Sequence, residues 1–193
     1  MSNQQPKRRE ERVLKITVPN PYFEQSNNVY LIADEELALI DTGIDTDETF
    51  EVLKKALAQA GFSIKEIKKI FITHKHPDHF GMASRIQNES GAEVYIHQDD
   101  WEDVAHFTER RDEVLEKYAK TMLAWGVPRE TVENLIELFK KGSSIAHSVE
   151  AQPLKDGDEI PMGSSKIHVL YTTGHTQGSA CFLYQNKLFS GSN

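Results

Sequence analysis

Three histidines and an aspartate fall within six positions of one another in the run KKIFITHKHPDHFGM, residues 68–82. They are His74, His76, Asp78 and His79, in a chain with eight histidines altogether. His74 and His76 are two residues apart, so on extended backbone their side chains leave the same side of the chain. Two imidazoles so placed reach one metal ion at about 2.0–2.1 Å. Pro77 stiffens the turn that leads from them to Asp78 and His79. Imidazole and carboxylate together suit zinc first, with iron or manganese as alternatives. The competing reading is a histidine-rich loop without function. Four candidate ligands in six residues, directly after a β-branched and aromatic run, argue against it.

A second signal comes a hundred residues later, in TTGHTQGSACF, where His175 lies between Gly174 and Gly178. Glycines near a histidine suit a turn of unusual backbone geometry, or a close approach of the chain to something bound. Alone, His175 reads as a turn residue. Beside the first cluster, it is the expected third imidazole.

These residues need elements to carry them. VLKITVP (13–19), NVYLIA (28–33) and LALIDTG (37–43) are rich in β-branched and aromatic residues and read as strands, with Asp34 and Glu35 in the connection between the last two. Residues 45–61 read as a helix, with Thr46 near its start, Phe50, Leu53, Leu57 and Ala60 on one face, and Gly61 past its end. IKKIFIT (67–73) is a strand that delivers the chain into His74. A short helix (82–91) and a strand (92–97) follow. Strand–helix alternation with short links indicates an α/β layered fold, and a loop at the C-terminal end of a strand is where such folds place their sites.

From Asp99 to about Lys141 the period turns helical. Asp99 stands three residues before Glu102 as in a capping box, and Pro128 suits the first turn of a second helix that ends near Gly142. Trp101, Phe107, Tyr118 and Trp125 on these amphipathic stretches read as core. From Leu154 onward the chain is β again. Residues 1–12 read as a polar tail without the apolar stretch of a signal peptide, and the whole of 1–193 as one domain.

Bulk properties narrow the classes. A net charge of −8 disfavours nucleic acid and anionic membrane as partners, and no apolar run approaches the roughly 20 residues of a membrane span. One cysteine, Cys181, excludes an intrachain disulfide and fits a reducing cytoplasm. It reads as buried and inert.

Together the motifs resemble the metallo-β-lactamase superfamily. Thr73-His74-Lys75-His76-Pro77-Asp78-His79 is similar to its T-H-x-H-x-D-H signature, LALIDTG to its strand ending in Asp-Thr-Gly, TTGHTQGS to its G-H-T-x-G-S segment, and KLFSG to the strand that follows. The order and spacing of all four match from about residue 13 to 191. The resemblance implies a four-layer αββα sandwich, one metal site of His74, His76 and His175, and a second to which Asp78 and His79 contribute. His79 after Asp78 resembles the dinuclear hydrolases of glyoxalase II, lactonase and RNase Z type. The expected function is hydrolysis of an ester, thioester or lactone of a small molecule through a zinc-bound hydroxide, with Asp78 as the catalytic carboxylate. A mononuclear iron dioxygenase acting on persulfides shares much of the motif and is the alternative enzyme. The helices at 99–141 resemble a substrate-covering lid.

The pattern breaks at one place. After F-S-G the family carries an aspartate that bridges two metals, and here the residue is Ser192. The sequence therefore reads as truncated, with an incomplete second half and impaired turnover. A non-catalytic metal-binding fragment is the second functional class. The uncovered face left by truncation implies a homo-oligomer. Of the remaining residues, Asp41 is expected to hold the metal loop by hydrogen bonds, His97 to be exposed or structural, His106 and His147 to lie near the helical insertion, and His168 to face solvent.

Overall fold

The computed structural model describes residues 12–22, 25–143 and 146–192. The expected polar tail lies outside these as far as residue 11, and Arg12 already opens the first strand. The first sheet has six strands in sequence order: β1 (Arg12–Asn20), β2 (Gln25–Ala33), β3 (Leu37–Ile40), β4 (Ile67–Ile72), β5 (Glu93–His97) and β6 (Ala151–Leu154). The first three are antiparallel neighbours, and β3 to β6 run parallel. The second sheet is antiparallel, in the order β10 (Lys187–Phe189), β9 (Ala180–Tyr184), β8 (Lys166–Tyr171), β7 (Glu159–Pro161).

Period-two alternation in the central strands produces two separate cores. Leu37, Leu39, Ile70, Ile72, Val94 and Ile96 point to one face of the first sheet. There they meet Phe50, Leu53 and Leu57 of α1 (Asp47–Gln59) and Ile86 of α3 (Ala83–Ser90). Ala38, Ile40, Phe71 and Tyr95 point the other way, against Ile167, Val169, Phe182 and Tyr184 of the second sheet. Phe71 is the centre of that layer, stacked on Tyr95 with ring centroids 5.2 Å apart and tilted against Phe182 at 5.4 Å. Asp34 is more than a turn residue: it is buried and accepts hydrogen bonds from Ser165 and from Tyr184 Oη, tying the first sheet's hairpin to the second sheet.

Three layers of the expected αββα sandwich are therefore present. The helices lie on the first sheet, and the outer face of the second shows Leu170 and Leu188 to solvent. α1 starts as the sequence predicts, with Thr46 Oγ1 accepting from Thr49 N, and stops at Gly61 in left-handed backbone.

The helical segment is α4 (Gln98–Ala105), α5 (Phe107–Ala124) and α6 (Arg129–Ser143). Two expectations fail here. α4 is capped by His97, whose Nδ1 accepts from Asp99 N at 3.3 Å, because the helix begins two residues earlier than a cap at Asp99 requires. Trp101 and Phe107 do pack on the core, but Tyr118 and Trp125 are 52% and 80% exposed, since the α5–α6 hairpin projects from the sheet. His97 is structural, buried and stacked on Tyr171 at 4.3 Å. Cys181 is buried, and His168 lies on the outer face beside Glu159. No helix among the described residues is long and apolar enough to cross a membrane.

Removing the ring that joins the two sheets should be costly. Phe71→Ala is expected to destabilise the fold by about 3–5 kcal/mol, read as a lower denaturant midpoint with an unchanged slope.

Candidate metal centre

The site forms where β4 ends. Asp41, just beyond β3, takes a left-handed backbone with φ of 57°, which aspartate tolerates better than most side chains. That conformation turns its carboxylate under the β4 terminus. Asp41 Oδ1 accepts from Thr73 N at 2.8 Å, and Oδ2 accepts from Thr73 Oγ1 and from His79 Nδ1, each at 2.8 Å. Thr42 adds bonds from its N and Oγ1 to the carbonyl of His79. As the sequence suggests, Asp41 acts by holding the loop.

Two histidine tautomers follow from this network. Asp41 accepts the N–H of His79 Nδ1, so the neutral ring carries its lone pair on Nε2. Thr73 Oγ1 donates its hydrogen bond to Asp41 and lies 3.1 Å from His74 Nδ1, so it accepts there and His74 also turns a bare Nε2 inward.

That nitrogen meets two others. His74 Nε2 is 3.1 Å from His76 Nδ1, and His175 Nε2 is 2.9 Å from the same atom. The three donor atoms all lie within 4.8 Å of one another. Two nitrogens on one tetrahedral ion at ordinary zinc distances stand about 3.3 Å apart, so the spacing fits a shared metal. Burial, reinforced by the imidazoles of His79, His76 and His175, pushes His74 down to about 2. Burial and then His175 lower His76 as well. Both rings are therefore neutral at neutral pH, the state in which imidazole ligates.

The two remaining sequence candidates adjoin this trio without joining it. Pro77, Asp78 and His79 lie on the four-residue helix α2 (Pro77–Phe80), and the His79 ring is 4.1 Å from that of His74. Asp78 Oδ2 is 3.6 Å from His79 Nε2 and accepts from Asn27 Nδ2 at 3.0 Å. Asn27 is held in turn by Asn20, at 2.7 Å. Ser192 also reaches this corner, its hydroxyl 3.4 Å from His79 Nε2. His106 and His147 are exposed and stand apart from the trio.

Sequence reasoning missed Asn27 and Asp100. Asn27 sits in an Asn-Asn pair that reads as ordinary strand, and Asp100 in an Asp-Asp pair that reads as a solvated helix start. Only the alternation of β2 carried a hint, since it puts Asn27 on the face of Val29 and Leu31.

The sequence model of the metallo-beta-lactamase superfamily matches residues 22–192, nearly all of the chain. The chain belongs to the metallo-beta-lactamase superfamily. Relatives within and around this superfamily support the same fold. A probable metallo-hydrolase of Methanocaldococcus jannaschii, MJ0888, is 30% identical over 88% of this chain and 68% of its own length. The structure of the metallo-beta-lactamase family protein TTHA1429 from Thermus thermophilus superposes with a TM-score of 0.78 at 29% identity, covering 92% of this chain and 58% of that one. A hydroxyacylglutathione hydrolase of Francisella philomiragia is 24% identical over 86% of this chain and 46% of its own. The chain thus spans roughly half to two thirds of the length of these relatives.

Asp41→Asn keeps the tolerated backbone and the shape but turns an amide N–H₂ toward donors. A loss of about 1–3 kcal/mol is expected, with the His79 Nδ1 proton signal shifted or lost in nitrogen-edited NMR.

Proposed function

We propose that this chain carries the metal centre of a zinc-dependent hydrolase that cleaves an ester, thioester or lactone of a small molecule. The observation that carries the reading is the meeting of three inward imidazole nitrogens, from His74, His76 and His175, at 2.9 and 3.1 Å. A divalent ion held there supplies Lewis acidity and makes water acidic enough to serve at neutral pH. Asp78 is the carboxylate placed to take a proton, its Oδ2 steadied by the amide of Asn27. His79, set by Asp41, presents Nε2 on the same side and supports a second ion together with Asp78. The likeness to a hydroxyacylglutathione hydrolase favours an acyl group carried on a thiol as substrate.

Cys181, buried and in no disulfide, fits the cytoplasm. We extend the proposal to assembly: β10 is an edge strand with Leu188 exposed, and a second copy covers it edge to edge. Sedimentation is expected to give a dimer, and a monomer at high concentration would remove this part.

Ser192 favours a second reading, a metal-binding protein with little turnover. It puts a hydroxyl at the His79 corner where the resemblance implies a bridging carboxylate. The two readings separate by metal content per chain together with turnover of a panel of thioesters, esters and lactones. Zinc with measurable hydrolysis supports the first; zinc without it supports the second. Tightly bound iron and persulfide oxidation would replace both with a mononuclear dioxygenase.

Two substitutions sharpen the test. His76→Ala is expected to abolish binding of the first ion, and undiminished zinc by elemental analysis would sink the assignment. Ser192→Asp is expected to raise zinc content toward two ions per chain and to increase any thioester turnover.

A further inference from the structure

The two halves of the trio come from different sheets. His74 and His76 follow β4 of the first sheet, and His175 lies in the turn between β8 and β9 of the second. Something must fix one turn against the other, and the contacts converge on one side chain of α4. Asp100 is fully buried. Its Oδ2 accepts from Lys75 N at 3.1 Å, the amide between His74 and His76. The same oxygen accepts from Thr176 Oγ1 at 2.5 Å, the residue after His175. Its Oδ1 accepts from Gly178 N at 3.0 Å. All three donors belong to the two histidine turns.

The surroundings are built for this carboxylate. Asp100 stands in the first turn of α4, where the helix favours negative charge. Lys75 Nζ approaches Oδ1 at 3.9 Å while bonding Asp103 at 2.5 Å. Gly178 leaves room for the approach, since a Cβ there would fall 2.5 Å from Asp100 N and 2.6 Å from Asp100 Cβ and Cγ. Thr176 is further ordered by Ser179, whose Oγ accepts from Thr176 N at 2.9 Å. The α4 start is secured separately: Tyr171 Oη donates to Asp99 Oδ2 and to the carbonyl of Gln177.

We propose that Asp100 is the positioning residue of the metal centre, a clamp that sets the distance between the His74–His76 turn and the His175 turn. It touches no ion itself. The inference rests on the reading of the trio as a metal site. It assigns the geometry of that site to one carboxylate on the helix, in addition to the strands that deliver the histidines.

The test uses the whole chain and three readouts: zinc affinity by competition with a chromophoric chelator, the visible spectrum of the cobalt-loaded protein, and circular dichroism of the metal-free protein. Asp100→Asn keeps the shape but faces donors with an N–H₂. It is expected to weaken zinc binding by about 10–100-fold and to change the cobalt spectrum, while the metal-free fold is retained. Asp103→Asn removes the neighbouring charge and weakens the Lys75 Nζ contact to a neutral hydrogen bond but leaves the clamp, and should bind zinc nearly as the unaltered protein does. A folded Asp100→Asn protein with unchanged affinity and spectrum overturns the proposal, and so does an equal loss in Asp103→Asn. Should Asp100→Asn fail to fold, Thr176→Val removes a single donor; a several-fold loss supports the clamp, and no loss overturns it. If the unaltered chain binds neither zinc nor cobalt, the metal reading itself falls and this inference falls with it.

Discussion

Imidazole nitrogens of His74 and His175 both close on the His76 ring, at 3.1 and 2.9 Å. Without a cation between them these nitrogens gain little from one another, and burial disfavours charging His74 and His76. The arrangement therefore has to be held from outside. Much of the local structure follows from that constraint: the left-handed Asp41, the Thr73 hydroxyl that donates a hydrogen bond to it, and the short helix that presents Asp78 and His79. Each fixes a ring orientation or a tautomer, and each does so through a hydrogen bond to a group that is itself buried or part of the backbone.

The fold supplies the rigidity on which such orientation depends. Central strands buried on both faces cannot slip by a residue without exchanging one core for the other. Leu39 and Ile40 illustrate this, one packed against the helices and the other against the second sheet. The end of β4 is thus fixed relative to its neighbours before any polar contact forms. The carbonyl of Thr73, at that end, also accepts from Ala180 N at 3.0 Å, so the second sheet begins β9 directly against the site.

Legibility in the sequence follows the range of the forces involved. Strands and helices of the first half are readable because their signals are local: alternation in LALI and IKKIFI, Thr46 and Gly61 at the two ends of α1. The histidine trio is readable because chemistry-bearing residues are rare and their clustering stands out. The cap of α4 is easily misread because Asp99 and His97 are both competent acceptors, and a shift of two residues decides between them. Tyr118 and Trp125 are misplaced because an amphipathic stripe says that a face exists and not that the sheet reaches it. Asn27 and Asp100 escape notice for a different reason. Their importance lies in distant partners, 51 residues away for Asn27 and 25, 76 and 78 residues away for Asp100, and nothing in their immediate neighbours marks them.

The origin of the histidines in two different sheets carries a thermodynamic consequence. On the proposed reading of the trio, an ion gripped from both sides would be a cross-link of the sandwich, made reversible by the supply of metal. At a free concentration a thousand times its dissociation constant, such a ligand stabilises the state that binds it by about 4 kcal/mol, a large share of the roughly 5–15 kcal/mol typical of folded domains. Shear between the sheets and loss of such an ion would then become one event. The durability of this protein in a cell would be set as much by metal availability as by its own apolar layers.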